Sequence, residues 1–305
     1  MANQIPFAEG TDAAGGILVP EEYGATLIDG LRRESAVASL ARVERIGSNQ
    51  RVYSVYSGRP EVDFVDEAAE KPVTGAEFGS LTINVKKLAA IVLYTQELLE
   101  DAQDDPRRLV TPDVVGAFAD KLDAHMLGYA NGTAITGNFD DEITDTTQSA
   151  EIGTTGDAFA KAVSDAMEDV EGSGYSPNAV VAASDVRAHL RDARNTVETT
   201  VPVYTAGFNR EPDTLYGLPI NYSSNLDGFP AGAGKVAGVV GDWSQAVIAI
   251  RSDITVKTSD QATVSVGGTP VNLWQTNQLA VLWEMRVGFA VHDLNGAFSK
   301  ITNAS

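Results

Sequence analysis

The sequence predicts a mixed α+β fold, with helices and strands segregated along the chain. Three observations carry that reading. A helix-period segment runs from about residue 112 to 131, a period-two hairpin spans 50–87, and a strand-rich C-terminal region follows a helix–strand–helix unit at 150–240.

Residues 1–19 are small, polar and glycine-bearing, which describes an extended arm. Pro20-Glu21-Glu22 supplies a helix start, with proline in the first turn and carboxylates at the positive dipole end. Tyr23, Leu27 and Leu31 give that helix one apolar face. From Gln50 to Lys87, Tyr53 and Val55 on one limb and Leu81, Ile83 and Val85 on the other alternate with polar residues. Between the limbs lie Gly58-Arg59-Pro60, an acidic middle, Lys71-Pro72 and Gly75. Such a hairpin is too polar to form a core alone. It is expected to project and lie on something else, with a plain surface loop as the alternative.

Leu88–Tyr94 reads as a buried strand and Gln96–Asp101 as a short helical turn. In the long helix, Val114, Val115, Phe118, Leu122, Met126 and Tyr129 keep three- and four-residue steps, with Gly132 as the stop. A second helix is expected over about 157–171, with Phe159, Val163, Ala166, Met167 and Val170 on one face. Ala179–Ala182 is then a buried strand, and Ser184-Asp185 caps a third helix carrying Val186, Leu190 and Ala193. The remainder reads as strand at 236–240, 246–251, 254–258, 263–266 and 277–291, with Gly267-Gly268 as a turn.

Composition narrows the function. The 305 residues include 42 acids and 22 bases, a formal charge of −20, so a protein that grips nucleic acid through clustered Lys and Arg is disfavoured. No cysteine is present, which removes disulfides, thiolate zinc sites, iron–sulfur clusters and cysteine nucleophiles together. The N-terminus lacks the basic and apolar regions of a secretory signal, and the longest apolar run, Leu88–Tyr94, is far short of a membrane span. No membrane partner is expected.

A search for catalytic chemistry finds little. His125, His189 and His292 are scattered and lack ligand spacing. The stretch Gly228 to Val236 resembles a phosphate loop but is one residue too long, and Val236 stands where a hydroxyl would hold magnesium. Asp140-Asp141-Glu142 with Asp145 lacks the alternating oxygen spacing of a calcium loop. No cofactor, no metal and no turnover enzyme are expected.

Six segments in order carry a resemblance. They are Gly15-Gly16-Ile-Leu-Val-Pro20 with Leu27–Arg32 and Ser35–Val43; Asp66-Glu67-Ala-Ala-Glu-Lys71-Pro72 with Phe78; Lys87-Leu88-Ala89 with Gln96–Asp101; Leu215-Tyr216-Gly217-Leu218-Pro219-Ile220; Gly241-Asp242-Trp243-Ser244; and Asn277 through Arg286 to Ala297-Phe298. Together they resemble the major capsid proteins of tailed double-stranded DNA bacteriophages, the Hong Kong 97-type capsid fold. The resemblance implies an N-terminal arm at 1–47, an extended hairpin loop at 48–88 and a peripheral domain at 89–149 with a spine helix. It further implies an axial domain at 150–240 and a second peripheral part at 241–305. The arm and hairpin would embrace neighbouring subunits. The implied function is a structural shell protein that self-assembles as hexamers and pentamers around double-stranded DNA, inside a bacterial host and then as the virion capsid. A portal protein and separate scaffold or decoration proteins are the implied partners. The arm begins within about fifteen residues of Met1. The family's N-terminal scaffolding segment is therefore expected to be absent, through a separate scaffold, unaided assembly or prior trimming. An encapsulin-type nanocompartment is the rival on the same fold, and a soluble hydrolase the rival from another class.

The resemblance also implies a chemical site. Lys71, before Pro72 and four residues after Glu67, falls on the family's loop lysine. Asn277 and Glu284 fall on the asparagine and glutamate of an inter-subunit isopeptide crosslink. Lys71 would need burial, against neighbours such as Trp274, Leu282 or Trp283, to become a neutral nucleophile from a free pKa of about 10.4. Glu284 would take its proton. Seven residues apart on one strand, Asn277 and Glu284 are expected to face opposite sides unless a bulge or a second subunit intervenes. The plainer alternative is an exposed loop lysine with ordinary strand-edge hydrogen bonds at the other two.

Overall fold

A computed structural model gives the fold and describes residues 30–56, 61–66, 70–75, 78–102, 106–153, 158–192, 214–227 and 235–303. The arm at 1–19, the helix start at Pro20, Glu67 and the Gly228–Gly234 loop lie outside the described residues.

A helical turn ends at residue 34 and leads into β1 (Arg42–Arg45), followed by β2 (Gln50–Tyr56), β3 (Phe78–Asn84) and β4 (Lys86–Thr95). Helices α1 (Gln96–Asp101) and α2 (Pro106–Leu127) follow, then a small ribbon of β5 (Tyr129–Ala130) and β6 (Thr133–Ala134). Next come β7 (Ser149–Ile152), α3 (Ala158–Gly172), β8 (Ala179–Ala183), α4 (Val186–Asp192), β9 (Thr214–Leu215), β10 (Leu218–Ser223) and β11 (Val236–Gly241). The chain closes with β12 (Ala246–Ser259), β13 (Thr263–Val266), β14 (Thr269–Asn272), β15 (Gln278–Val291), α5 (Leu294–Ala297) and β16 (Phe298–Asn303).

Two sheets organise these elements. The first has the order β1-β12-β15-β4, with β15 antiparallel to both neighbours and β1 parallel to β12. Along β15 the odd residues Val281, Trp283, Met285 and Val287 enter the main core, which also holds Val115, Phe118, Leu122 and Met126 of α2. Each fully buried side chain of this kind contributes roughly 1.5–3 kcal/mol relative to exposure, so the seam fixes the long helix to the sheet. Past residue 287 the strand is buried on both faces, and its sequence becomes continuously apolar. Phe289 and Val291 stay in the main core, whereas Ala290 joins Val247, Ala249, Ile46 and Ile83 in a second cluster beneath the β2–β3 hairpin. Gly288 lets the hairpin sit this close. A Cβ there would stand 2.7 Å from Ile83 Cγ2 and 2.9 Å from the Asn84 carbonyl oxygen.

The second sheet has the order β7-β16-β11-β8-β10-β9. Its central strand β8 is buried at every position and reads as the unbroken run Ala-Val-Val-Ala-Ala. Helix α3 adds Phe159, Val163, Ala166 and Val170 to the core. The chain passes from β15 in the first sheet to β16 in the second through α5. Asp293 caps that helix by accepting the Gly296 amide at 2.9 Å and takes a hydrogen bond from the Tyr175 hydroxyl at 2.9 Å. Burial, followed by this carboxylate, pushes the Tyr175 phenol up to about 12.

Several expectations shift. The long helix starts at Pro106, not about 112, and Pro112 lies within it near its N-terminal end. It stops at Leu127, before Gly128 at φ 78°, not at Gly132. Asn131 (φ 47°) and Gly132 (φ 72°) instead form the two-residue turn of the β5–β6 ribbon, a conformation that Asn-Gly favours. The strands expected at 246–251 and 254–258 are one strand, β12, whose register against β15 shifts between Ile250 and Thr255. The Leu215-Tyr-Gly-Leu218 signature is a tight turn with both central residues at positive φ, 50° at Tyr216 and 84° at Gly217.

One buried carboxylate pins residues 35–37 to the long helix. Asp123 of α2 is 4 % exposed. Its Oδ1 accepts from the Ser35 hydroxyl at 2.5 Å and the Val37 amide at 3.2 Å, and its Oδ2 accepts from the Ala36 amide at 2.7 Å. Burial pushes Asp123 up to about 6, against the lowering effect of these donors. Its folded pKa therefore lies above the unfolded value of 3.8, so its contribution to stability is fullest below that value and is lost as pH rises through about 6. Two predictions follow from these packing features. Asp123→Asn flattens the stability–pH curve of the unassembled chain between about pH 4 and 6, removing a change of about 3 kcal/mol measured by urea unfolding. Gly288→Ala destabilises the same chain by about 1–3 kcal/mol, read in the same assay, because Ile83 and the Asn84 carbonyl must move.

Candidate assembly interface

Two surfaces stand out. The first is the excursion between β2 and β3. Its limbs run together where the Glu61 amide donates to Thr74 Oγ1 at 2.8 Å, and the Phe64 amide donates to Asp63 Oδ1 at 2.8 Å. Val62, Phe64 and Val73 lie in water, Phe64 with its whole surface open. Three large apolar side chains on a polar ribbon, with nothing above them among the described residues, mark a contact surface.

The second surface is the outward face of the first sheet. The even positions of β15 point there, and the strand register sets out its rows. Arg286 pairs with Lys87; Glu284 lies between Thr255 and Ala89; Leu282 lies between Lys257 and Ile91. The hairpin base covers this face at Ala290, but Ile91 is 54 % exposed and Leu282 only half-buried. Glu284 Oε2 accepts from Lys87 Nζ at 2.9 Å, and its Oε1 stands 3.7 Å from Arg286 Nε. The Lys87 hydrogen bond, with Lys257 and Arg286 adding attraction, holds the Glu284 carboxyl below its ordinary value.

The three crosslink candidates are not brought together within one chain. Lys71 is exposed, without the apolar burial expected for it. Trp274 is itself 69 % exposed and Trp283 is sealed in the core. No contact among the described residues joins Lys71 to Asn277 or Glu284. Asn277 lies just before β15, not on it, in a left-handed turn at φ 50°. Its carbonyl accepts the Gln96 amide at 3.0 Å and its Nδ2 donates to Glu97 Oε1 at 3.1 Å. The strand beyond pairs with β4 without a bulge as far as Val287. Seven residues of extended chain place Glu284 roughly 20 Å from Asn277. Glu97 is thus the carboxylate beside the carboxamide, and the sequence reading missed it. Its signal was the Gln96–Asp101 segment, whose first turn abuts the start of β15 only through the fold.

The other candidate chemistries are absorbed locally. Lys235 is held by Asp227. Asp140 accepts from Asn84 Nδ2 at 2.7 Å, Asp141 from the Val291 amide at 3.1 Å and Glu142 from the Gly137 amide at 3.1 Å. His125 meets Asn138, and burial, with Lys121 second, lowers its pKa. Among the described residues no group of His, Asp or Glu side chains is placed to hold a metal, and no helix is long and apolar enough to cross a membrane.

These surfaces and sheets match a known class. Residues 15–302 match the model of the phage capsid family, and the chain belongs to that family. Its fold is similar to a solved chain of Gordonia phage Cozz, with a TM-score of 0.74 at 19 % identity over 89 % of this chain and 87 % of that one. A chain of Mycobacterium phage Adephagia gives 0.72 at 18 % identity over 89 % and 90 %. The capsid chain of an empty GTA particle gives 0.66 at 18 % identity over 98 % and 95 %. No curated protein matches the sequence. The chain is a structural capsid shell protein with the Hong Kong 97-type α+β fold.

Removing the Lys87 ammonium tests the electrostatics of this face. In Lys87→Met the Glu284 carboxyl titrates at a higher pH than in the unaltered chain, as followed by carbon-13 NMR of the side-chain carboxyl.

Proposed function

We propose that copies of this chain assemble as hexamers and pentamers into a closed icosahedral shell around double-stranded DNA. The observation that carries this reading is the β2–β3 excursion, whose Val62, Phe64 and Val73 are exposed and find no cover among the described residues. A surface of this kind is satisfied by another subunit, and a head-to-tail contact repeated between identical subunits forms a ring when its rotation closes. The charge of −20 suits a container wall, because an acidic surface holds packaged DNA without binding its phosphates. On this reading 89–149 and 241–305 form the peripheral domain and 150–240 the axial domain. A portal protein, with separate scaffold or decoration proteins, completes a particle built in the bacterial cytoplasm. Electron microscopy of the overexpressed chain tests the reading. Closed shells or capsomer tubes are expected, and a small discrete oligomer under all conditions contradicts it.

The same reading includes a crosslink between Lys71 and Asn277. The neutral Lys71 amine of one copy attacks the Asn277 carboxamide carbon of another. A C–N bond forms, the original amide C–N bond breaks, and ammonia leaves with the proton relayed from lysine through a carboxylate. The spacing along β15 requires that Glu284, if it is that carboxylate, come from a different copy than Asn277, whereas Glu97 arrives with the asparagine. In boiled, denatured mature particles a ladder of covalent multimers is expected, and Lys71→Arg abolishes it. Only monomer-sized protein from unaltered mature particles contradicts the crosslink.

A further inference from the structure

Two positions in the sequence join asparagine directly to glycine, Asn131-Gly132 and Asn295-Gly296, and both asparagines are exposed. A glycine amide has no side chain beside it to hinder attack on the preceding carboxamide, so this pair is the one most prone to deamidation. The fold withholds the attacking nitrogen at both positions. The Gly296 amide donates to Asp293 Oδ1 at 2.9 Å, and the Gly132 amide donates to the Asn225 carbonyl at 2.8 Å. Asn225 is buried, and its Nδ2 donates to the Asp120 carbonyl of α2 at 3.0 Å, so that acceptor is itself fixed. A carboxylate also crowds each glycine. A Cβ on Gly296 would stand 2.6 Å from Asp293 Oδ2, and one on Gly132 2.5 Å from Asp227 Oδ2. Negative charge there opposes loss of the amide proton, the step that makes the nitrogen a nucleophile. At Asn295 the electrophile is ready, because the Thr147 amide donates to its Oδ1 at 2.9 Å and polarises the carboxamide.

We propose that Asn295 is a latent deamidation site in the crossover from β15 to β16, kept closed by the Asp293 cap, with Asn131 as its counterpart in the β5–β6 turn. The inference stands apart from the shell-forming reading. When the cap opens, the Gly296 nitrogen gives its proton to solvent base and attacks Asn295 Cγ. A ring C–N bond forms, the carboxamide C–N bond breaks, and ammonia leaves with a proton from solvent. Water then opens the succinimide at either carbonyl, giving aspartate or isoaspartate. Isoaspartate routes the backbone through the former side chain, which lengthens it. A helix of four residues wedged between two paired strands has no slack to absorb that change, so the cap protects the link between the two sheets.

Peptide mass spectrometry of the unassembled chain, aged in mildly alkaline buffer, reads deamidation at each position, and isoaspartyl methyltransferase labelling identifies the product. Position 295 is expected to react roughly tenfold or more slowly in the native chain than in the urea-unfolded chain. Equal rates overturn the inference. Asp293→Ala is expected to raise the rate at 295 by roughly tenfold and to leave position 131 unchanged. A rate at 295 that does not move overturns the inference. Tyr175→Phe removes the phenol from the same carboxylate but leaves the cap, so 295 stays protected. A rise equal to that of Asp293→Ala assigns the protection to general packing and overturns the cap. If Asp293→Ala raises both positions it has unfolded, and the unaltered chain decides. Across sub-denaturing urea, deamidation at 295 is expected to rise in step with hydrogen exchange of the Gly296 amide. A rate that stays flat while that amide opens overturns the inference.

Discussion

The architecture depends on how β15 is buried. Its odd positions anchor α2 and the main core, and its last residues are closed on both faces, by the core below and the β2–β3 hairpin above. A strand with two covered faces tolerates no register slip, since a one-residue shift would exchange Phe289 with Ala290 and press a side chain against the Asn84 carbonyl at position 288. The hairpin base at β2 and β3 is therefore fixed against the sheet. The same strand also orders the outward rows of Glu284 and Leu282.

From β15 the chain crosses to the second sheet through the Asp293–Tyr175 contact and ends in β16, between β7 and β11. Asp123 performs the matching task near the start of the described chain, tying residues 35–37 to α2. Both the start of the described chain and its last strand are thus tied to the body by hydrogen bonds to buried or half-buried carboxylates.

Much of this was legible in the sequence, for physical reasons. The limbs of the hairpin, the α3 face and the all-buried β8 announce themselves because periodicity and unbroken apolar runs are local signals. Asn131-Gly132 was misread, because the apolar steps of the helix run on to Tyr129 and made Gly132 look like its stop, whereas the pair closes the β5–β6 ribbon. The assembly site was only half visible. Lys71, Asn277 and Glu284 entered through resemblance, and strand spacing then separated the last two. Glu97 beside Asn277, and Lys87 opposite Arg286, come together only once β4 and β15 are paired, and no local pattern encodes that pairing.

Hydrogen–deuterium exchange on assembled particles and on dissociated subunits tests the central claim most directly, namely that the uncovered ribbon is completed by another copy. Peptides covering 61–66 should gain protection on assembly, while peptides from β8, already buried, should change little. Exchange at 61–66 that stays as fast in particles as in free subunits would contradict the account.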